Sequence, residues 1–199
     1  MTQDFSDHLK KIALLLSPAG CELTLAGLRG SAPAYLLSRL FPDVTGTFLI
    51  VTADTDSAEE LYRELSFYAG ENETVLYFPP WDTAPFEPAS PHPEIIGRRL
   101  NALFQLTDGK AKAVVAPLSA VVQKVLPRRT LGEVSQYLVA GEEAAREELV
   151  AKLVRLGYGS VPLVEDPGTF SVRGGILDIF PPNLSVPVRI EFFGDFVDT

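Results

Sequence analysis

The sequence predicts an α/β protein in which a domain with a parallel sheet precedes a small α+β domain with an antiparallel sheet. Up to Pro127, apolar β-rich runs alternate with helical segments, an order typical of a parallel sheet covered by helices on both faces. After Pro127, three β-rich stretches follow one another without a helix between them. The Gly174-Gly175 pair between two of these stretches is a two-residue hairpin signal. We therefore expect domains at residues 1–128 and 129–199.

Each domain has its own element pattern. Phe5, Leu9, Ile12 and Leu16 recur at helical spacing and predict an amphipathic first helix. Residues 47–51 form a continuous apolar run, which is typical of a strand buried on both faces. The other strands of the first domain are predicted at residues 22–26, 74–78 and 111–116, and its other helices at 34–41, 57–70, 93–106 and 119–125. The second domain is predicted to have a helix at 141–156 and strands at 169–173, 176–180 and 186–193.

Composition excludes several classes of function. The chain has 17 Lys and Arg against 26 Asp and Glu, and its net charge of −9 argues against nonspecific polyanion binding. With Cys21 as the only cysteine, and His8 and His92 as the only histidines, neither a disulfide nor a Cys or His metal site is expected. No apolar run approaches the length of about 20 residues that a membrane span needs. We expect a reduced, cytoplasmic protein without a cofactor.

Residues 27–34, GLRGSAPA, lie where a phosphate-binding loop would lie, between a predicted strand and a predicted helix. A working loop reads G-x-x-x-x-G-K-[ST], because its lysine and its hydroxyl serve the phosphates and Mg²⁺. Pro33 and Ala34 stand at those two positions, and proline also lacks an amide donor. The residues favour a structural turn over a nucleotide site.

Carboxylates and aromatic residues near the loops suggest alternatives that the sequence supports less well. Asp54, Asp56, Asp82 and Glu87 lack the converging His or Cys partners of a metal or acid-base site, so we interpret them as helix caps and solvated loop charges. The aromatic residues Trp81 and Phe86 could stack on nucleic-acid bases, but no basic run accompanies them. Packing of their loop onto the protein is the favoured interpretation.

The last predicted strand alternates between two faces. Val188, Ile190 and Phe192 share an apolar face, which Phe170, Val172, Leu177 and Ile179 join across the hairpin. Arg173, Arg189 and Phe193 then project from the opposite, outer face. Arginine and aromatic residues are enriched at interfaces. Surface ion pairs to Asp178 and Glu191, with a partly buried Phe193, explain the same residues equally well.

These residues carry a family resemblance. Residues 168–181, GTFSVRGGILDIFP, followed by residues 188–195, VRIEFFGD, closely resemble the second domain of UvrB and of the bacterial transcription-repair coupling factors. Residues 78–86, FPPWDTAPF, with the SPH and RRL segments at 90–92 and 98–100, are similar to the coupling factors rather than to UvrB. The resemblance covers essentially the whole chain, which looks like the amino-terminal piece of a much larger protein.

The resemblance implies a RecA-like first domain, similar to UvrB domain 1a, with a degenerate P-loop, and a second domain that binds UvrA. Such a module is non-catalytic and recruits nucleotide excision repair to stalled RNA polymerase. The translocase motor and the contacts with RNA polymerase and DNA belong to other parts of the larger protein. In the family, UvrA is contacted by the arginine of V-R-G, the arginine of R-I-E-F-F and the final phenylalanine of that motif. Arg173, Arg189 and Phe193 occupy these positions.

Two alternatives come from other functional classes. The first is an active P-loop enzyme that binds nucleotide, against which Pro33 and Ala34 speak. The second is a binder of damaged DNA like UvrB. The segment from Tyr77 to Glu94 is too short for the long aromatic hairpin of UvrB, and the charge of −9 is unfavourable for DNA.

Overall fold

The chain forms two compact units in the computed structural model. One unit comprises Met1–Pro80 and Phe104–Lys124, and the other Trp81–Leu103 and Val125–Thr199. The predicted domain boundary at residue 128 stays a prediction, because compactness does not test which part folds by itself. The structure describes residues 2–16, 21–71, 73–84, 86 and 88–199, and the side chains from residue 7 onward within these ranges.

The described elements mix helices and strands, as the α/β prediction requires. The helices are α1 Thr2–Leu16, α2 Ala32–Leu40, α3 Thr55–Ala69, α4 Pro93–Thr107, α5 Leu118–Val121, α6 Arg128–Val134 and α7 Arg146–Arg155. The strands are β1 Phe48–Thr52, β2 Val75–Tyr77, β3 Ala113–Pro117, β4 Gly159–Ser160, β5 Thr169–Arg173, β6 Ile176–Phe180, β7 Val188–Phe193 and β8 Phe196–Val197. Within the described ranges, every helix is too short or too polar to cross a membrane.

The sheet of the first unit is parallel, as predicted. Its order is β1-β3-β2, and the central strand β3 is buried along its whole length. Small and apolar residues from α2, α3 and the sheet form one core beside it: Ala34, Phe41, Ala58, Leu65, Tyr77, Ala113 and Val115. The side chains of Leu9 and Ala13 on α1 pack with Leu40, which agrees with an amphipathic first helix. The side chain of Phe5 lies outside the described residues.

Strand β1 differs from its prediction. Leu49 is 62% exposed and Val51 is 45% exposed, while Phe48 and Ile50 pack toward the core. The expectation that residues 47–51 are buried on both faces is therefore wrong. Within the described ranges β1 pairs with β3 alone, so it is an edge strand with one open face. A continuous apolar run records residue type, but the burial of each face depends on elements elsewhere in the chain.

Two other predictions for the first unit are wrong. Residues 22–26 form no strand, and they pair with no strand in the described part of the chain. The helix predicted to begin at residue 57 also begins earlier than expected, because α3 starts at Thr55 and Asp54 is its N-cap. The Asp54 carboxylate accepts a hydrogen bond of 2.8 Å from the backbone N–H of Ser57. This is the helix-capping role that we predicted for Asp54 itself.

The sheet of the second unit is mixed, with the order β4-β5-β6-β7-β8. Strands β5 to β8 are antiparallel as predicted, but the short strand β4 runs parallel to β5, so the expectation of a wholly antiparallel sheet is wrong. Leu149 and Leu153 of α7 join the core on one face of this sheet. The residues that complete that core are Phe170, Leu177, Ile179, Ile190, Phe192 and Val197.

The predicted helix at residues 141–156 begins later than expected, at Arg146. The backbone before this helix forms hydrogen bonds with the last residues of the sheet. The N–H of Gly141 donates to the carbonyl of Val197, and the N–H of Ala144 donates to that of Asp195, each over 2.7 Å. Glu143 also forms a β-bridge with Phe196, and the backbone of Ala145 is extended, so the chain becomes helical only from Arg146.

Candidate protein-interaction site

A tight hairpin joins β5 to β6 and places Arg173 at its end. Arg173 pairs with Ile176 across the strands, so Gly174 and Gly175 form the two-residue loop that the sequence predicted. Gly174 has a φ of +60°, a region that glycine enters without strain. The carbonyl of Gly175 accepts a 2.7 Å hydrogen bond from the N–H of Phe192 in β7. The turn is thus fixed to the strand that carries the other candidate residues.

Strand β7 presents alternate residues to the two faces of the sheet. Ile190 and Phe192 are buried in the core, and Arg189, Glu191 and Phe193 are exposed on the outer face. The alternation predicted from the sequence is confirmed for this strand. Phe193 is 82% exposed, which excludes the interpretation of a partly buried phenylalanine.

The two arginines meet at one carboxylate on the middle strand. Asp178 in β6 is paired with Arg189 in β7. Its Oδ1 accepts from Nε of Arg189 over 2.7 Å, and its Oδ2 accepts from Nη2 of Arg189 over 3.0 Å. The same Oδ2 accepts from Nη2 of Arg173 over 2.8 Å. Arg173 and Arg189 therefore lie on the same face and share one anionic partner.

The cluster of Asp178, Arg173 and Arg189 has a nearly buried carboxylate between two more exposed guanidinium groups. The Asp178 side chain is 11% exposed, whereas the side chains of Arg173 and Arg189 are each 55% exposed. Hydrogen bonding from Arg189, with a further contribution from Arg173, holds the pKa of Asp178 below its ordinary value despite burial. The hydrogen bond to Asp178 in turn raises the pKa of Arg189. The cluster of one carboxylate and two guanidinium groups carries a net positive charge.

An apolar pair lies at the end of the same face. Phe193 in β7 is paired with Phe196 in β8, so the two rings project to the same side of the sheet. Phe196 is 53% exposed. Neither Asp178 nor Phe196 was identified as a site residue from the sequence. For both, the signal is the cross-strand register, which places each beside a residue that was identified.

The turn before α2 does not have the form of a phosphate site. Ala34 is fully buried in the core of the first unit, and Pro33 lies in the first turn of α2. The hydroxyl of Ser31 donates to the Glu64 carboxylate over 2.5 Å. A carboxylate therefore occupies the place beside the turn where a phosphate would need positive charge. No described strand precedes the turn, so the predicted strand-turn-helix context is only partly present.

The other candidate residues have structural contacts. The carboxylate of Asp82 accepts from the backbone N–H of His92 over 3.2 Å, which supports the interpretation of a loop charge. Asp56 is exposed in the first turn of α3, and Glu87 lies outside the described residues. Among the described side chains, no group of His, Cys, Asp and Glu could hold a metal ion.

The two aromatic residues of the proline-rich loop behave differently. The guanidinium carbon of Arg99 lies 4.1 Å from the centre of the Trp81 ring. Arg99 is buried, and this burial lowers its pKa to about 10. Trp81 therefore packs onto the protein, as we favoured from the sequence. Phe86 is fully exposed with a φ of +72°, so packing of the loop does not extend to it.

Comparison with known proteins identifies the domain that carries Arg173, Arg189 and the phenylalanine pair. Residues 137–199 match the family described as the UvrB interaction domain. Strands β4 to β8 and helix α7 all lie within this match. The candidate face is thus part of a recognised domain.

The chain as a whole is similar to two kinds of protein. It is 37% identical over 187 residues, or 91% of the chain, to the transcription-repair-coupling factor of Myxococcus xanthus. It is 35% identical over 195 residues, or 98% of the chain, to the transcription-repair-coupling factor of Bacillus subtilis. It is also 31% identical over 188 residues, or 88% of the chain, to UvrABC system protein B of Agathobacter rectalis.

The matches cover only a part of these relatives. The chain spans 16% of the length of each of the two coupling factors and 28% of the UvrABC system protein B. The similarity nevertheless extends over nearly all of the chain, including the first unit. The chain therefore belongs to the family of UvrB-like modules of transcription-repair-coupling factors, with a UvrB interaction domain at residues 137–199.

Proposed function

We propose that this chain is a non-catalytic recruitment module that binds UvrA through Arg173, Arg189 and Phe193. The observation that carries the proposal is the outer face of the second sheet, where two exposed arginines and an exposed phenylalanine lie on the same side. An exposed aromatic ring beside arginines is the composition enriched at binding hot spots. The match to the UvrB interaction domain and the names of the relatives support a role in linking repair proteins.

The physical role of each residue follows from its chemistry. Each guanidinium offers a planar fork of donors that can bind a carboxylate through two hydrogen bonds. Phe193 supplies an apolar anchor that excludes water around such charge pairs, and Phe196 beside it enlarges that anchor. In the longer protein, this module would bring nucleotide excision repair to stalled RNA polymerase. Contacts with RNA polymerase and DNA, and any motor activity, would belong to other parts of that protein.

The proposal includes a first domain that is RecA-like in descent but inactive toward nucleotides. Pro33 and Ala34 replace the lysine and hydroxyl of a working phosphate loop. The hydrogen bond between Ser31 and Glu64 adds a negative charge beside the turn. Both features support a degenerate P-loop and a module without an enzymatic reaction of its own.

Binding of purified UvrA to the 199-residue chain and its variants, measured by surface plasmon resonance, tests the proposal. Arg173→Ala, Arg189→Ala and Phe193→Ala are each expected to weaken binding by about thirtyfold, which corresponds to about 2 kcal/mol. Phe196→Ala is expected to weaken it less, since its ring is more buried. If the three variants fold normally and bind UvrA like the parent chain, the interface lies elsewhere.

Two control variants match these changes in chemistry. Arg129 is an exposed arginine of the same unit that also contacts a carboxylate, that of Glu133 at 3.0 Å. Phe67 on α3 is 79% exposed, close to the 82% of Phe193. Arg129→Ala and Phe67→Ala are expected to bind UvrA like the parent chain. Equal losses in the controls would show that the effect is not specific to the proposed face.

A further inference from the structure

The carboxylate between the two arginines points to a role for Asp178 in recognition. We propose that Asp178 is a positioning residue that holds Arg173 and Arg189 ready to bind a carboxylate of the partner. This inference rests on the proposed function, since it concerns the same face. It adds a residue that makes no contact of its own with the partner, and it specifies the chemical group that the face recognises.

The arginine N–H groups that donate to Asp178 determine which N–H groups remain for a partner. Arg189 donates to Asp178 through its Nε and its Nη2, the two groups along one edge of the planar guanidinium. Its Nη1, at the other end of the fork, donates to no described residue. Arg173 gives Asp178 only its Nη2. Both arginines thus keep donors for an outside acceptor, and a carboxylate matches their planar geometry.

Burial explains why Asp178 can act as a fixed support. Its side chain is only 11% exposed, because the residue stands on the middle strand β6 between β5 and β7. Arginine loses much side-chain freedom when it binds, and a side chain that is already held in place loses less. Two guanidinium groups that share Asp178 are also shielded from each other's charge. Pre-organisation of this kind lowers the cost of binding.

The alternative role for Asp178 predicts the opposite result. If Asp178 were only a negative charge that competes for the arginines, its neutralisation would strengthen binding to an acidic partner. If it positions the arginines, its neutralisation weakens binding through faster dissociation, even though the face becomes more positive. The sign of the change therefore distinguishes the two roles.

Glu191 provides the matched control. It lies on the same outer face and is exposed, but its carboxylate makes no hydrogen bond to either arginine. Asp178→Asn and Glu191→Gln each remove one negative charge from that face. The experiment measures association and dissociation rates of UvrA with the parent chain and both variants, with circular dichroism as the check on folding.

We expect Asp178→Asn to weaken binding about tenfold through the dissociation rate, with an association rate that is unchanged or higher. Glu191→Gln is expected to bind as well as the parent chain or slightly more tightly. Binding of Asp178→Asn that equals or exceeds that of the parent would overturn the inference. If the parent chain itself fails to bind UvrA, the proposed function is wrong. If the parent chain binds and Asp178→Asn binds equally well, only the positioning role of Asp178 is wrong, so the two failures are distinguishable.

A second variant keeps the test decisive if Asp178→Asn does not fold. Arg189→Lys retains the positive charge at an exposed position, but it cannot make the two bonds to Asp178. We expect this variant to fold and to lose about tenfold in affinity, again through dissociation. Parent-like rates for Arg189→Lys would show that charge alone is sufficient and would contradict a positioning role.

Discussion

The backbone carbonyl of Pro182 lies against the α carbon of Gly97 on helix α4. A methyl group at residue 97 would stand 1.6 Å from that carbonyl oxygen and 3.2 Å from the backbone nitrogen of Asn183. Both segments belong to the second unit. Since backbone atoms cannot swing away as a flexible side chain can, only a hydrogen atom fits between them.

Gly97→Ala is therefore expected to destabilise the protein, by about 2 kcal/mol or more, because α4 and the segment at Pro182 would have to separate. Urea unfolding of both chains measures the difference. Gly132→Ala is the control, since residue 132 lies in α6 with open space around it. There alanine should raise stability by about 0.5 to 1 kcal/mol through its better helix propensity. A stabilising effect at both positions would contradict the close contact.

Loss of a phenyl ring is expected to lower the free energy of unfolding strongly on the inner face of the second sheet and hardly at all on its outer face. Phe170→Ala removes a side chain that is 2% exposed and leaves a cavity, so the free energy of unfolding should fall by about 3 to 5 kcal/mol. Phe193→Ala should change it by no more than about 0.5 kcal/mol, because that ring already meets water. Chemical denaturation measures both. A similar loss from the two variants would show that Phe193 is part of the core.

Asp178 is expected to make stability depend on acid pH. Its pKa in the folded protein is lowered from 3.8, first by the hydrogen bond from Arg189 and then by Arg173. A group with a lowered folded-state pKa stabilises the protein above its unfolded value, and this stabilisation is lost as the pH falls through the folded value. The difference in Tm between the parent and Asp178→Asn should thus be constant from about pH 7 to 5 and shrink below about pH 4. A difference that stays constant at low pH would contradict the ion pair.

The chain is expected not to bind ATP. The reason is the combination of Pro33 and Ala34 in place of lysine and a hydroxyl with the Glu64 carboxylate at Ser31. Titration of a fluorescent ATP analogue in the presence of Mg²⁺ measures this directly. Saturable binding at micromolar concentrations, lost when unlabelled ATP is added, would show an active site of the P-loop class instead.

Local patterns were sufficient to predict the face that carries the arginines. The Gly174-Gly175 pair sets a two-residue hairpin, and period-2 alternation in β7 then assigns Arg189 and Phe193 to one side. These signals depend only on neighbours in the sequence, so they predict the local structure without information about distant segments. Val172 and Val188 share the inner face by the same alternation, yet they are 41% and 36% exposed at its margin. Alternation gives the face of a residue but not how well the face is covered.

Several of the predictions that were wrong concern pairing between distant segments. Residues 22–26 find no partner among the described strands, and α7 begins late because residues 141 and 144 bond to the last strands. The central position of Asp178 follows from the register of three strands, which no single segment contains. Such contacts are fixed by tertiary structure, which overrides local preference.

The open face of β1 affects how the first unit responds to temperature. Leu49 and Val51 are in contact with water in the folded chain as well as in the unfolded one. Unfolding adds less newly hydrated apolar surface at these two positions than at fully buried ones, and such surface is the source of the heat-capacity increment. The increment per residue is therefore smaller than in a unit whose sheet is covered on both sides. A smaller increment gives a flatter curve of stability against temperature.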